Sequence, residues 1–160
     1  MKRPWFAPPF QPPRVVEGDG FSLRPLTVRD AVQDFAAVMG SREALWALFG
    51  EGWHWPPENL SLEADLVDLA WHQKEFELGT SFAWAVAARD ESRLLGCAYL
   101  YPARLPDWEA DAFFWLTSDV RQRLEAPVEA AFRTLLAAFP LQRIAWPGRA
   151  LPWHLWNGAP

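Results

Sequence analysis

Two carboxylates and one imidazole stand where they could move a proton. Glu109 and Asp111 precede or open an aromatic strand at 110–117, and His54 sits in a loop between Trp53 and Trp55. An imidazole titrates near neutral pH and a carboxylate in reach of an acidic proton can act as a base. His72, on a helix surface, and His154, in the tail, are assigned no role. The three histidines form no His-x-x-x-His pair, so no metal site is expected. The single cysteine, Cys97, lies within an apolar run and reads as a small core residue. One cysteine also excludes a disulfide framework and a multi-cysteine zinc or iron–sulfur centre. No serine occupies Gly-x-Ser-x-Gly, the commonest hydrolase signal.

Spacing and punctuation predict the elements that must hold these groups. Phe21-Ser-Leu-Arg-Pro suits a short strand. Thr27 and Asp30 form a capping box with a short acid, ahead of an apolar helical face that ends at Gly40. Ser41 caps a second, short helix ending at Gly50, and Pro56-Pro57 marks a loop. Ser61 caps a third helix over 62–78, with Leu62, Leu66, Leu69 and Phe76 as its inner stripe. After Gly79 the period changes to two. Strands are expected at 82–88 and 94–101, joined by a turn at Asp90-Glu-Ser, and at 110–117. Leu124, Val128, Phe132, Leu135 and Phe139 repeat at helical spacing. Pro127 places that helix at about 125–139, because a proline in a helix interior costs ~3 kcal/mol. A last strand covers 142–146, and the prolines and Gly158 make the tail irregular.

The 160-residue chain fits one domain, and 51% hydrophobic against 22% charged residues argues against general disorder. A net charge of -5 with no long basic run speaks against nucleic acid or an anionic membrane as partner. Charge and proline interrupt every apolar stretch before the ~18 residues a membrane span needs, and a reducing cytoplasm is the expected compartment. Residues 1–16 read as a proline-rich arm whose Trp5, Phe6 and Phe10 dock on the domain, which covers 17–148. Residues 149–160 form a Trp-rich tail. The composition is unusual in having 11 Trp, read either as core filling or as the walls of a ligand groove.

The order strand, three helical pieces, three strands, helix, strand is a mixed α/β (α+β) arrangement. Several strings resemble the GNAT superfamily of N-acetyltransferases, in its ribosomal-protein-acetylating branch. Leu23-Arg-Pro-Leu-Thr-Val-Arg-Asp-Ala resembles that branch's first strand and helix. Leu94-Leu-Gly-Cys-Ala-Tyr-Leu resembles its third strand, and Ala112-Phe-Phe-Trp-Leu-Thr its fourth. The resemblance implies a single GNAT-like domain with a mostly antiparallel central sheet. A parallel pair splays around the fourth and fifth strands, and helices flank the sheet.

It further implies acetyl-CoA as cofactor and a small-molecule or peptide amine as acceptor. Acetyl-CoA would lie along Leu116 and Thr117, with phosphates near Val120, Arg121, Arg123, Leu124 and Ala126, where the family motif reads Arg/Gln-x-x-Gly-x-Gly/Ala. The motif's glycines let the backbone approach the pyrophosphate at a helix N-terminus. Arg121 and Ala126 match its ends, whereas Leu124 stands at the glycine position, Glu125 adds a negative charge and Pro127 removes a donor. No tyrosine matches the family's thiolate-protonating acid. Glu109, Asp111 and His54 are the candidate bases for the amine. The expected function is a divergent acetyl-CoA-dependent N-acyltransferase. The alternative is a non-catalytic GNAT-fold module that binds a ligand or a protein. Leu151, Trp153, Leu155 and Trp156 are too apolar to leave in water, so the tail is expected to pack over its own sheet edge or, by a slight preference, across a two-fold axis in a homodimer.

Overall fold

A computed structural model of the chain describes residues 2–157; Met1 and residues 158–160 of the expected tail lie outside the described residues. Six strands form one sheet in sequence order: β1 (Val16–Glu17), β2 (Phe21–Pro25), β3 (Phe82–Ala88), β4 (Leu94–Pro102), β5 (Ala110–Leu116) and β6 (Ile144–Ala145). All neighbours run antiparallel except β5 and β6, which pair in parallel through Ala110↔Ile144 and Asp111↔Ala145. This is the expected mixed sheet with one parallel pair. The two-residue β1 escapes the sequence because so short a segment carries no period. The last strand shrinks from the expected 142–146 to two residues.

Helices cover both faces, and strand alternation sorts the core between them. Phe82, Trp84 and Val86 of β3, with Ala112, Phe114 and Leu116 of β5, meet Val120, Leu124, Val128, Phe132 and Leu135 of α4 (Ser118–Leu136). The opposite face, with Ala85, Cys97, Phe113 and Trp115, packs against α1 (Ala31–Gly40), α2 (Arg42–Trp53), α3 (Leu62–Leu78) and α5 (Trp153–Asn157). A 3-10 turn, Val28–Asp30, leads into α1, and the Asp30 carboxylate accepts the Thr27 backbone N–H at 2.9 Å, as the capping box requires. The expected bounds of α3 hold: Ser61 Oγ accepts the Ala64 N–H at 3.1 Å, and Gly79 closes the helix at φ 68°.

Four expectations need correction. The second helix continues past Gly50 to Trp53, because Gly50 packs beneath the Trp46 ring and His54 supplies the left-handed cap at φ 51°. On α3, Leu62 and Leu66 are exposed and the inner face is Asp65, Leu69 and Phe76. A buried carboxylate thus stands where the apolar stripe is expected. The fourth helix begins at Ser118, not near 125, and carries Pro127 in its interior on the exposed side. Val120 and Leu124 extend the buried stripe a full two turns N-terminally, and that burial outweighs the proline's missing bond. The tail is helical at Trp153–Asn157.

Both flanking segments pack on the domain. The Trp5 N–H donates to Gly79 O at 2.7 Å, Phe6 and Phe10 lie against Phe139, and Trp84 Nε1 donates to Pro13 O at 3.2 Å. Trp153 and Trp156 are buried against Phe49 and Phe113 of the same chain. The Trp153 ring lies over Gly52 and Gly148 so closely that a Cβ at either glycine would stand about 2.4–2.5 Å from it. Its Nε1 donates to Leu48 O at 2.9 Å. Truncating a buried tryptophan costs about 3–5 kcal/mol. Deleting residues 150–160 should therefore lower the urea midpoint markedly, and an unchanged midpoint would show that the tail contributes nothing.

Candidate functional site

The face of the sheet that packs against α1, α2, α3 and α5 holds a cavity of about 450 Å³. Strand alternation builds its floor: Tyr99 and Tyr101 project from β4, and Asp111, Phe113 and Trp115 from β5. Asp68 and His72, one helical turn apart on α3, form one wall, with His72 Nε2 3.4 Å from Asp68 Oδ2. Trp53 and Trp55, on either side of the α2 cap, form another. Arg104 and the Trp156 indole of α5 complete the lining, the guanidinium lying 4.7 Å from that ring's centroid. Trp115 Nε1 donates to Tyr99 Oη at 3.2 Å, which fixes both rings.

Of the three candidate bases, only Asp111 reaches this cavity. It is 2% exposed, and its Oδ2 accepts the Trp156 indole N–H at 2.9 Å and the Arg104 backbone N–H at 3.1 Å. Burial pushes its carboxyl above the ordinary aspartate range, against the pull of those two donors. Its Oδ1 is buried and has no hydrogen-bond partner among the described residues. Glu109 has a structural task instead. Its Oε2 accepts the backbone N–H groups of Gln142 and Arg143 at 2.8 and 2.7 Å, which holds the carboxyl below its usual range and pins the entry to β6. His54 is an exposed helix cap outside the cavity, between two tryptophans that line it.

The residues expected to hold a cofactor are dispersed. Leu116, Val120 and Leu124 are core side chains; Arg123 and Ala126 face solvent; Arg121 Nε pairs with Glu125 Oε2 at 3.0 Å. Thr117 is buried, and its Oγ1 accepts from Arg93 at 3.0 Å. At the N-terminus of α4, Ser41 Oγ accepts the Ser118 N–H at 2.9 Å, and Asp119 pairs with Arg93 at 2.9 Å. An anion arriving there would meet a carboxylate and an N–H already satisfied.

The gap where β5 and β6 diverge is also filled. Arg149 donates to Phe114 O at 3.1 Å, its guanidinium lies 3.8 Å from the Phe114 ring centroid, and it pairs with Glu125 at 2.6 Å. About 10 Å³ of free space is left beside it, bordered by Leu45, Leu48 and Leu116, roughly enough for one water. As arranged, these residues do not fit a CoA pyrophosphate and pantetheine arm.

Sequence reading missed Asp68, His72, the two tyrosines, Arg104, Phe113, Trp115 and Trp156. The signal was present for most of them. Asp111, Phe113 and Trp115 share a face by period two, as do Tyr99 and Tyr101, and Asp68 and His72 by helical spacing.

No family model matches the sequence, and no curated protein is similar to it. Solved structures are similar. The ribosomal-protein-S5-alanine acetyltransferase from Vibrio fischeri superposes with a TM-score of 0.63 at 18% identity, covering 82% of this chain and 72% of that one. A GNAT-family acetyltransferase from Bacillus anthracis gives 0.58 at 10%, covering 81% and 70%. RimJ of Mycobacterium smegmatis, solved in complex with CoA-disulfide, gives 0.55 at 19%, covering 84% and 64%. The chain has the fold of the GNAT acetyltransferases, as its resemblance implied. Among the described residues, no helix is long and apolar enough to cross a membrane.

Behind the cavity lies a second acidic group. Asp34 Oδ1 accepts from the Cys97 thiol at 3.2 Å, and Asp65 is buried with its Oδ2 unpartnered among the described residues. Burial, then the Asp65 charge, pushes Asp34 well above its ordinary range; burial, with Asp68 adding, takes Asp65 up to about 6. Both values lie above those of the unfolded chain, so the folded state favours the protonated pair. Stability should therefore be greatest at low pH within this window and fall as pH rises from 5 to 7.5. Asp34→Asn should raise the melting temperature at pH 7.5 by several degrees, on the order of 1–2 kcal/mol, and flatten this dependence. Thermal melts at the two pH values test it, and a steeper loss in the variant would contradict it.

Proposed function

We propose that this protein is a GNAT-fold ligand-binding module. Its aromatic cavity takes a small molecule, and its acyl-CoA cleft is closed by its own chain. The observation that carries this reading is Arg149, which engages the Phe114 carbonyl and Glu125 where β5 and β6 part. A cofactor arm would have to displace a charge-assisted pair and a cation stacked on an aromatic ring. The Ser41 cap on α4 supports the same conclusion at the phosphate end. The cavity, by contrast, has the size and lining of a ligand site: mostly aromatic walls with a few convergent polar groups.

A second reading, an acetyl-CoA-dependent N-acyltransferase acting on a small-molecule or peptide amine, is favoured by the fold shared with CoA-bound RimJ and with a ribosomal-protein acetyltransferase. In it, Asp111 is the base for the amine. Titration calorimetry with acetyl-CoA separates the two. The binding-module reading expects no saturable heat up to about millimolar cofactor, which corresponds to about 4 kcal/mol of affinity or less. It expects Arg149→Ala to gain binding if the plug is the main obstacle. Micromolar binding by the unaltered protein, with acetyl-CoA consumed in the presence of an amine, would replace the first reading with the second.

A further inference from the structure

Helix α3 buries one side and leaves an apolar strip along the other. We infer that this strip is a self-complementary contact through which two copies of the chain pair, α3 against α3, antiparallel about a two-fold axis. The inference does not depend on what the cavity binds.

Asp65, Leu69 and Phe76 turn inward. Helical spacing then puts Glu63, Val67, Ala70 and Lys74 on the outward side, with Leu66 along one edge and Trp71 along the other. Leu66, Val67 and Trp71 are 43%, 58% and 52% exposed, and Ala70 is exposed between them. Val28, whose N–H donates to Gln73 Oε1 at 2.9 Å, widens the strip on the Leu66 edge. Apolar side chains scattered singly over a surface are ordinary, but a contiguous strip of them along about three turns marks a contact.

Charge selects the partner. The strip carries one charged group near each end, Glu63 and Lys74, and neither enters an ion pair among the described residues. Lys74 Nζ lies 4.9 Å from the Trp71 ring centroid, which keeps it over the strip. Residues 63 and 74 are equally far from the point between Asp68 and Leu69, and so are residues 67 and 70. An antiparallel pair centred on that point brings each Glu63 level with the partner's Lys74 and each Val67 level with the partner's Ala70. A parallel pair would set glutamate against glutamate and lysine against lysine. A two-fold contact uses one patch twice, and this patch is its own charge complement. The small Ala70 at the seam lets the two helices approach closely. One helix face on another is a small interface, at or below about 1,200 Å², so the expected dimer is weak, with a dissociation constant on the order of 100 μM. Trp153 and Trp156 of the tail, buried within their own chain, take no part.

The test is sedimentation velocity on the full chain at low salt, over concentrations from about 5 to about 500 μM, a range that brackets the expected dissociation constant. The weight-average mass should rise from that of the 18.3 kDa chain toward twice that value. Val67→Asp should weaken association by about tenfold or more, because it sets a charge at the apolar seam. Its melting temperature at the lowest concentration should match the parent's, since the side chain is exposed in the single chain. Glu63→Lys and Lys74→Glu should each weaken association about fivefold by setting like charges level with one another. The double variant carrying both exchanges should return to the parental affinity, a rescue that only the antiparallel register produces. A chain that stays monomeric throughout the range would overturn the proposal. So would a dimer that Val67→Asp leaves intact, or one in which the two charge exchanges fail to rescue each other. Each of these results leaves the reading of the cavity as it stands.

Discussion

The carboxylate of Asp111 joins three parts of the chain that are distant in sequence. It stands at the start of β5, in register with Ala145 of β6, and its Oδ2 receives the Arg104 backbone N–H and the Trp156 indole N–H. The β4–β5 connection, the parallel pair and the C-terminal helix therefore meet at one oxygen. Hydrogen bonds to a charged acceptor are worth about 1.5–3 kcal/mol each. Here they also decide geometry, because they set the Trp156 ring as a wall and hold Arg104 near it. Remove that acceptor and α5 keeps its Trp153 anchor but loses the contact that turns it toward the sheet.

Much of the fold was legible because local signals agreed with one another. The strands at 82–88, 94–102 and 110–116 are bounded by turns and rich in apolar residues, and α3 has both of its caps in the sequence, Ser61 and Gly79. Legibility failed where a tertiary contact outweighed a local rule. Pro127 argued for a late helix start, but Val120 and Leu124 add two turns of buried face. Gly50 argued for a helix end, but it serves as the seat of the Trp46 ring. On α3 the inward position belongs to Asp65, and the charge that bears on it, Asp34, lies on another helix, so no pattern within one segment reveals the pair. Of the site, Asp111 was reachable from sequence. His54 was singled out by its tryptophan neighbours, and those neighbours, not the imidazole, line the cavity.

The two faces of the sheet have gone different ways. Near the N-terminus of α4, three groups are engaged within the chain: the Ser118 N–H by Ser41, Asp119 by Arg93, and the Phe114 carbonyl by Arg149. On the other face, polar groups remain with unused capacity. The GNAT framework, parallel pair included, tolerates this because its stability comes from strands β3 to β5, which are buried on both faces and need no cofactor to complete them.

The docking of the proline-rich arm bears on the order in which the chain can mature. Trp84 and its acceptor, the Pro13 carbonyl, lie 71 residues apart, and Phe6 and Phe10 rest on Phe139, further along still. On the ribosome the arm emerges well before any surface that can receive it. Its prolines hold it extended and keep it from collapsing into a helix of its own while it waits. Trp5, Phe6 and Phe10 are thus a cluster of apolar groups without their docking surface until β3 and α4 have formed, and nascent chains crowded on one message would be vulnerable to mutual capture through them in that interval.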